Sequence, residues 1–366
     1  MIIRLRFSLI PLIVGVLAIG TSDPVAAETH WYRGNTHTHT VNSDGEESAD
    51  SVARWYKEHG YQFLFITDHE FVTDVAPLNA LLGAAEHFLV LPGQEVTQWI
   101  DDPRDEGTMM RSAHVNALFA RQVVWPVGVR RCLGMSFGAC APPATPVADT
   151  FRANIDAIRA EGAIAEVNHP NLLWTVRPDD LRNVPDGTLL EVWNGVSIAN
   201  NLGGGDGAGD VRPSAEGFWD VLLSQGKVIW GVGSDDSHSA AQRGQAWIVV
   251  HAPELTAAAI RAAIVHGNFY ASNGVVLDEV SSDERSLSVT IQHPAAIPGI
   301  SSSESRYLTR FIGQGGAVLA EIAGTHPVYH FQGGETYVRA AIIDSNDKRA
   351  WTQPVFRDGR DKKRLP

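Results

Sequence analysis

Asn35-Thr36-His37-Thr38-His39-Thr40-Val41-Asn42-Ser43-Asp44-Gly45 places two histidines two residues apart, just ahead of a Ser-Asp-Gly turn. In an extended chain alternate side chains share a face, so His37 and His39 are expected to project together. Asp44 follows where Gly45 lets the backbone reverse. Two imidazoles and a carboxylate so close together suit a borderline divalent cation such as zinc, manganese or iron. The plain alternative is a pair of surface histidines beside a turn. The motif alone leaves both readings open, and the rest of the chain decides between them.

Outward from this stretch, strand and helix patterns alternate from Trp31 to about Ser272. Apolar strand patterns fall at 33–39, 63–67, 88–91, 114–119, 163–167, 189–192, 228–232 and 246–250. Helical patterns fall at 49–59, 76–86, 150–161, 215–224 and 253–265. This order predicts an α/β domain with a largely parallel sheet closed into a barrel. Past Tyr270 the texture changes to short β-rich runs at 287–291, 307–312, 318–322 and 337–342, separated by Gly, Asp, Asn and Ser turns. These predict a small antiparallel β-sandwich. The expected division is therefore residues 1–27, 28–272 and 273–366.

Ligand-type residues recur where this reading puts strand ends. Asp68 and His69 end Phe-Leu-Phe-Ile-Thr, and Glu95 follows Leu-Val-Leu-Pro-Gly-Gln. His114 opens an apolar run, His169 follows Ala-Glu-Val-Asn, and Asp236 and His238 end Val-Ile-Trp-Gly-Val-Gly-Ser-Asp-Asp-Ser. Active sites of α/β barrels lie at the C-terminal ends of their strands. So many charged groups on one rim would repel or be costly to desolvate unless cations held them. His30, His59, His87, His251, His266, His293, His326 and His330 fall in helices, loops or the β-rich tail and are assigned structural or surface roles.

The ordered set His37-Thr-His39, Ser43-Asp44-Gly45, Thr67-Asp68-His69, Glu95, His114, His169 and Asp236-Ser-His238 resembles the polymerase-and-histidinol-phosphatase (PHP) superfamily. Two further features resemble its exported branch of carbaryl-type carbamate hydrolases. One is Trp31-Tyr-Arg-Gly-Asn35. The other is the tail with Phe311-Ile-Gly, Tyr337-Val-Arg and Ala350-Trp-Thr-Gln-Pro. The resemblance implies a distorted seven-stranded β/α barrel with two or three divalent metal ions (Zn, Mn or Fe). It implies that His37, His39, Glu95 and Asp236 hold the first metal. Glu95 bridges to a second, completed by His114 and His169. Asp44, His69 and His238 hold a third. The family spacing Asp-x-His selects Asp236, with Asp235 as a neighbour. Asp68 is read as orienting an imidazole.

The first segment carries Arg4 and Arg6, an apolar run from Phe7 to Gly20 and Val25-Ala-Ala27. This reads as a signal peptide cleaved after Ala27, too short to span a bilayer. The expectation is an exported protein, periplasmic or secreted, with no stable membrane insertion afterwards. Removing Arg4, Arg6 and Asp23 leaves 27 basic against 41 acidic residues, a net charge of −14. An acidic chain is poorly suited to gripping phosphate backbones, so nucleic acid is not the expected partner. Cys132 and Cys140, the only cysteines, are candidates for a disulfide in an oxidising compartment.

The expected chemistry is hydrolysis of a small-molecule ester by a metal-activated hydroxide. A phosphoester is the leading substrate class, and a carbamate or carboxylic ester the alternative. A reading of another class is an exported binding protein with an inactive barrel. Glu95, Asp236 and His238 are the expected catalytic residues. Asp236 or Asp235 would take the water's proton, and His238 would protonate the leaving group. Arg111, Arg243 and Trp193 neighbour the motifs as candidate substrate contacts, with ordinary structural roles the better assignment for each.

Overall fold

The computed structural model describes residues 28–83, 87–100, 111–128, 130–131, 136–142, 145–207, 209–293 and 306–364. The expected signal segment lies outside them, and so does Cys132. Cys140 is disulfide-bonded, and Cys132 is the only other cysteine in the chain. Among the described residues no helix is long and apolar enough to cross a membrane.

The chain is a mixed α/β protein built on two large sheets. In the first, His30–Asn35, Phe63–Ile66 and Leu89–Pro92 pair in parallel, and Trp247–Ala252 runs antiparallel beside His30–Asn35. Phe63–Ile66 is buried at every position, as expected of a strand covered on both faces. Phe63 and Phe65 join one core; Leu64 and Ile66 join the other. The second sheet carries Glu95–Ile100, Arg111–Leu118, Ile164–Val167, Thr188–Asn194 and Ile229–Ser234, in that spatial order.

Two isolated parallel bridges, Thr38 to Ser237 and His69 to Glu95, join the sheets. Hydrogen bonding thus runs in two sheets meeting at two seams, where the sequence suggested one barrel ladder. Motif residues build both seams. Thr38 stands between His37 and His39, and Ser237 between Asp236 and His238. Backbone bonds from His39 N to Ser237 O and from Asp236 N to His37 O, both 3.0 Å, hold the first seam.

The sheet is also less parallel than expected. Arg111–Leu118 runs antiparallel to both neighbours. Its reversal has a consequence for the site. The start of this strand, with His114, lies level with the ends of the parallel strands, and Asn168 N donates to His114 O at 3.2 Å.

The tail does place two antiparallel sheets face to face. Leu277–Ser282, Ser286–Ile291 and Val328–His330 form one of them. Its apolar side, with Leu287, Val289 and Ile291, packs in one cluster with Phe311, Val338, Ala340 and Ile342. The opposing sheet continues past the tail, because Arg349–Thr352 pairs with Phe269–Ser272. A second joint is ionic. Arg339, fully buried, donates to Asp220 at 2.8 and 2.6 Å and to Glu216 at 2.8 Å on the helix Ala215–Ser224.

Candidate metal centre

The structure gathers all nine sequence-selected residues at the seams. Residues 36–40 are buried just past the strand His30–Asn35, with Thr38 in a single bridge, and both imidazoles turn to one side. His37 Nε2 and His39 Nε2 lie 3.1 Å apart. Each is 3.2 Å from Glu95 Oε2. Asp236 Oδ1 is 3.3 Å from the first and 3.2 Å from the second. Both carboxylate oxygens thus lie within 3.3 Å of both Nε2 atoms, and His37, His39 and Glu95 form one group able to hold a metal ion, with His39, Asp236 and His238 another. These residues fit a divalent cation.

Glu95 turns its other oxygen toward a second group. His114 Nδ1 is 2.8 Å and His169 Nε2 3.7 Å from Glu95 Oε1. His114 Nε2 is buried with no hydrogen-bond partner among the described residues. A third group lies at the mouth. Asp44 Oδ2 is 3.3 Å from His238 Nε2 and 3.6 Å from His69 Nε2, while Asp44 Oδ1 is 3.3 Å from His39 Nδ1. Gly45 serves the turn by close approach. A Cβ there would sit 2.7 Å from the His39 carbonyl carbon and the Thr40 nitrogen. Asp236 holds φ of 51°, a strained value for a residue with a side chain, of the kind that clusters at functional sites.

Several rings have one nitrogen held by the protein and the other aimed inward, the usual arrangement for imidazole ligands. His37 Nδ1 pairs with Glu191 Oε1 at 2.8 Å, His69 Nδ1 with Thr97 Oγ1 at 2.7 Å, and His238 Nδ1 with the Asp236 carbonyl at 3.0 Å. Burial alone would lower the His37 pKa, but the charges of Asp236, Glu95 and Glu191 hold it well above the usual value. Burial opposes a similar rise at His39, which hydrogen bonds to Asp236, Asp44 and Glu95 produce. Burial would raise Glu95, but His69, His37 and His114 hold it well below the carboxylate range. For His69 burial wins, lowering it to about 3 despite Glu95. The negative field that keeps protons on His37 and His39 is the one a cation would use.

The Asp235–Asp236 ambiguity separates cleanly in space. Asp235 accepts from Tyr56 Oη at 2.7 Å and from the backbone N–H groups of Gly244, Gln245 and Ala246 at 2.8, 2.7 and 2.9 Å. Four donors fill it away from the cluster, so it does not serve as a base there. Asp68 orients no imidazole, contrary to expectation. It accepts from Thr40 N and Oγ1 at 2.7 and 2.8 Å, from Ser43 Oγ at 2.8 Å and from Thr73 Oγ1 at 3.2 Å. It anchors the turn that carries Asp44.

The three candidate substrate contacts take structural positions. Arg111 donates to the Thr175 carbonyl at 3.0 Å. Arg243 reaches Glu47 at 3.3 Å. The Trp193 ring lies 5.7 Å from that of Trp351.

Sequence reasoning missed Asn168, Glu191 and Asn194. Asn168 Nδ2 donates to Glu95 Oε1 at 2.7 Å, and Asn194 Nδ2 donates to Asp236 Oδ2 at 3.2 Å. A usable signal was present. Glu191 is a lone carboxylate in an apolar strand run, and a buried charge needs a partner.

Access is one-sided. Among the nine, only the side chains of Asp44 and His238 are appreciably exposed, at 28% and 30%. A cavity of about 450 Å³ opens beside Asp44, lined also by His69, Glu70, Trp125 and Phe137 among others. A larger cavity, about 780 Å³, is lined by Trp31, Trp230 and Phe356 among others and by none of the nine.

No family model and no curated protein matches the chain. Among solved structures it is similar to a two-domain protein from Bacteroides vulgatus containing a predicted PHP-like metal-dependent phosphoesterase. That match has 15% identity and a TM-score of 0.45, over 89% of this chain and 96% of the other. It is also similar to an amidohydrolase from Chromobacterium violaceum with bound sulfate and no metal. There the identity is 14% and the TM-score 0.35, over 57% of this chain and 88% of the other.

Proposed function

We propose that the chain is a metal-dependent hydrolase acting on ester bonds, with phosphoesters as the leading substrate class. The observation that carries this is the His37–His39–Glu95–Asp236 donor set, joined through the second oxygen of Glu95 to His114 and His169. His37, His39, Glu95 and Asp236 would hold one cation, and Glu95, His114 and His169 a second. Asp44, His69 and His238 would hold a third. Divalent cations bound there lower the pKa of water toward neutrality and neutralise charge developing on the reacting oxygens. Adjacent donor sets sharing one carboxylate suit an in-line displacement at phosphorus, and the same arrangement can serve attack at carbon, so a carbamate or carboxylic ester is the alternative that the assays separate.

The side chains divide the remaining work. Asp236 turns Oδ1 to the four-atom set and is placed to accept a proton. His238, at the open side, is placed to give a proton to the leaving oxygen where its Nε2 is not engaged by a cation. The substrate enters beside Asp44 and His238. Metal analysis of the purified protein, with assays on a nitrophenyl phosphate, a phosphodiester and a naphthyl carbamate, tests this. Two or more equivalents of metal and preferential turnover of a phosphate ester are expected. Turnover of the carbamate alone would move the assignment to carbon esters, and metal-free protein with full activity would overturn it.

The reading extends to an exported protein carrying a barrel-type catalytic part and a β-rich C-terminal part. The charged start, apolar run and Val25-Ala-Ala27 support export. N-terminal sequencing of the mature protein should then begin at or near Glu28, whereas a functional cytoplasmic protein retaining Met1 would count against it.

A further inference from the structure

Glu191 lies beneath the nine clustered residues and gathers four donors. Its Oε1 accepts from His37 Nδ1 at 2.8 Å and from Ser234 Oγ. Its Oε2 accepts from the backbone N–H of His169 and from Asn194 Nδ2, the latter at 2.8 Å. The same Asn194 nitrogen reaches Asp236 Oδ2 at 3.2 Å. One carboxylate therefore touches His37 and His169 directly and Asp236 through a single amide.

The strand is built to allow this. Regular alternation would send residues 191 and 194 to opposite faces. The pairing with Ile229–Ser234 slips by one residue: Val232 faces Glu191, and Gly233 faces Trp193. This bulge lets both side chains turn to the same side.

We infer that Glu191 is the positioning residue of the metal centre, seating His37, His169 and Asp236 through the reach of its carboxylate. The inference rests on the metal-centre reading above. A neutral imidazole carries one N–H. Drawing it to Nδ1 leaves the lone pair on Nε2, the atom 3.1 Å from His39 Nε2 and 3.2 Å from Glu95 Oε2. A His37 ring free to turn or to exchange tautomers would present that lone pair only part of the time.

Glu166 supplies the matched comparison. It is fully buried. Its Oε1 accepts from Thr36 Oγ1 at 3.0 Å and Asn116 Nδ2 at 3.3 Å, while Oε2 has no hydrogen-bond partner among the described residues. Burial first, and then the charge of Glu191, push its pKa well above the carboxylate range. Glu166 makes no hydrogen bond to any of the nine clustered residues, whereas Glu191 with its four donors holds two of them. Glu166→Gln keeps a similar shape at a buried carboxyl that holds none of the proposed ligands.

Zinc binding to the full chain, stripped with a chelator and titrated against a chromophoric competitor, gives the test. Glu191→Gln and Glu191→Asp should both weaken zinc binding by about 10–100-fold, the usual cost of losing an outer partner of a metal ligand. Asp keeps the charge but falls short of His37, so its loss identifies reach as required; Gln keeps the reach but has one acceptor oxygen, so its loss identifies the second oxygen as required as well. Glu166→Gln should bind zinc within about 3-fold of the unmodified chain on the same scale. Unchanged affinity in Glu191→Gln would overturn the inference. So would full affinity in Glu191→Asp, which would make the role one of charge, or an equal loss in Glu166→Gln. If Glu191→Gln does not fold, as judged by circular dichroism of the metal-free protein, Glu191→Asp decides alone by the same criterion. Because the readout is zinc, it survives a failure of the hydrolase reading. That failure would show as zinc binding without ester turnover in the unmodified chain.

Discussion

Glu95→Gln is expected to strip metal from two donor sets together and to cut hydrolysis by roughly 10³-fold or more, beyond the 10–100-fold typical of losing an outer partner. Oε2 of Glu95 belongs to the four-atom set, 3.2 Å from both His37 and His39. Oε1 faces His114 at 2.8 Å and takes a hydrogen bond from Asn168 Nδ2 at 2.7 Å. A carboxylate suits both sides because both its oxygens are acceptors. Glutamine keeps the shape but has one acceptor, and its amide nitrogen is a poor ligand. Whichever way the amide lies, its NH2 meets nitrogen atoms meant for a cation or the Asn168 donor. By contrast, Asp44→Asn touches only the partly exposed set with His69 and His238, so the other two sets should stay loaded. Metal content, turnover and circular dichroism of both variants decide it. Full metal and full turnover in Glu95→Gln would remove the bridging assignment and the proposed mechanism with it.

The site was legible in the sequence because its ligands stand at chain positions with strong local constraints. His37 and His39 obey the two-residue period of an extended segment. Of the other candidate ligands, His69, Glu95, His169, Asp236 and His238 follow apolar runs, while Asp44 sits in the Ser-Asp-Gly turn and His114 opens a run. What sits one layer out was harder to see. Glu191 reads as a single charge inside Leu-Leu-Glu-Val-Trp-Asn, and the bulge that aims it arises from pairing with a distant strand. Asp68 precedes His69 and looks like its partner, yet tertiary folding laid the Thr40–Ser43 turn over it instead.

Strand direction was equally hidden. Nothing local to Arg111–Leu118 says that it runs against its neighbours. Similarly, the change of texture past Tyr270 suggested a separate sheet. The sheet in fact crosses that point, because edge pairing between Phe269–Ser272 and Arg349–Thr352 is decided by partners about 80 residues apart.

Arg339→Met is expected to destabilise the protein by about 3–5 kcal/mol, the usual cost of breaking a buried ion pair from one side. The guanidinium is fully buried and makes two bonds to Asp220 and one to Glu216. It also lies 4.9 Å from the centre of the Trp219 ring. Burial would lower its pKa, but Asp220 and Glu216 more than offset this, so it stays charged. Methionine fills much of the volume and leaves Asp220 without its cation and Glu216 with only Arg349, 3.9 Å away. If unfolding is a single transition, at about 2 cal/mol/K of entropy per residue the loss corresponds to a fall in melting temperature of roughly 4–7 °C. Most of the deficit should return in the triple variant Arg339→Met, Asp220→Asn, Glu216→Gln, because the penalty comes from stranded charges and neutral groups pack at little cost. Metal content should be unchanged throughout, since none of the three residues is among the proposed ligands. Calorimetry of the single and triple variants separates the cases. Equal destabilisation of both would mean that lost packing around Trp219, and not uncompensated charge, is what the joint between the Ala215–Ser224 helix and the C-terminal strands depends on.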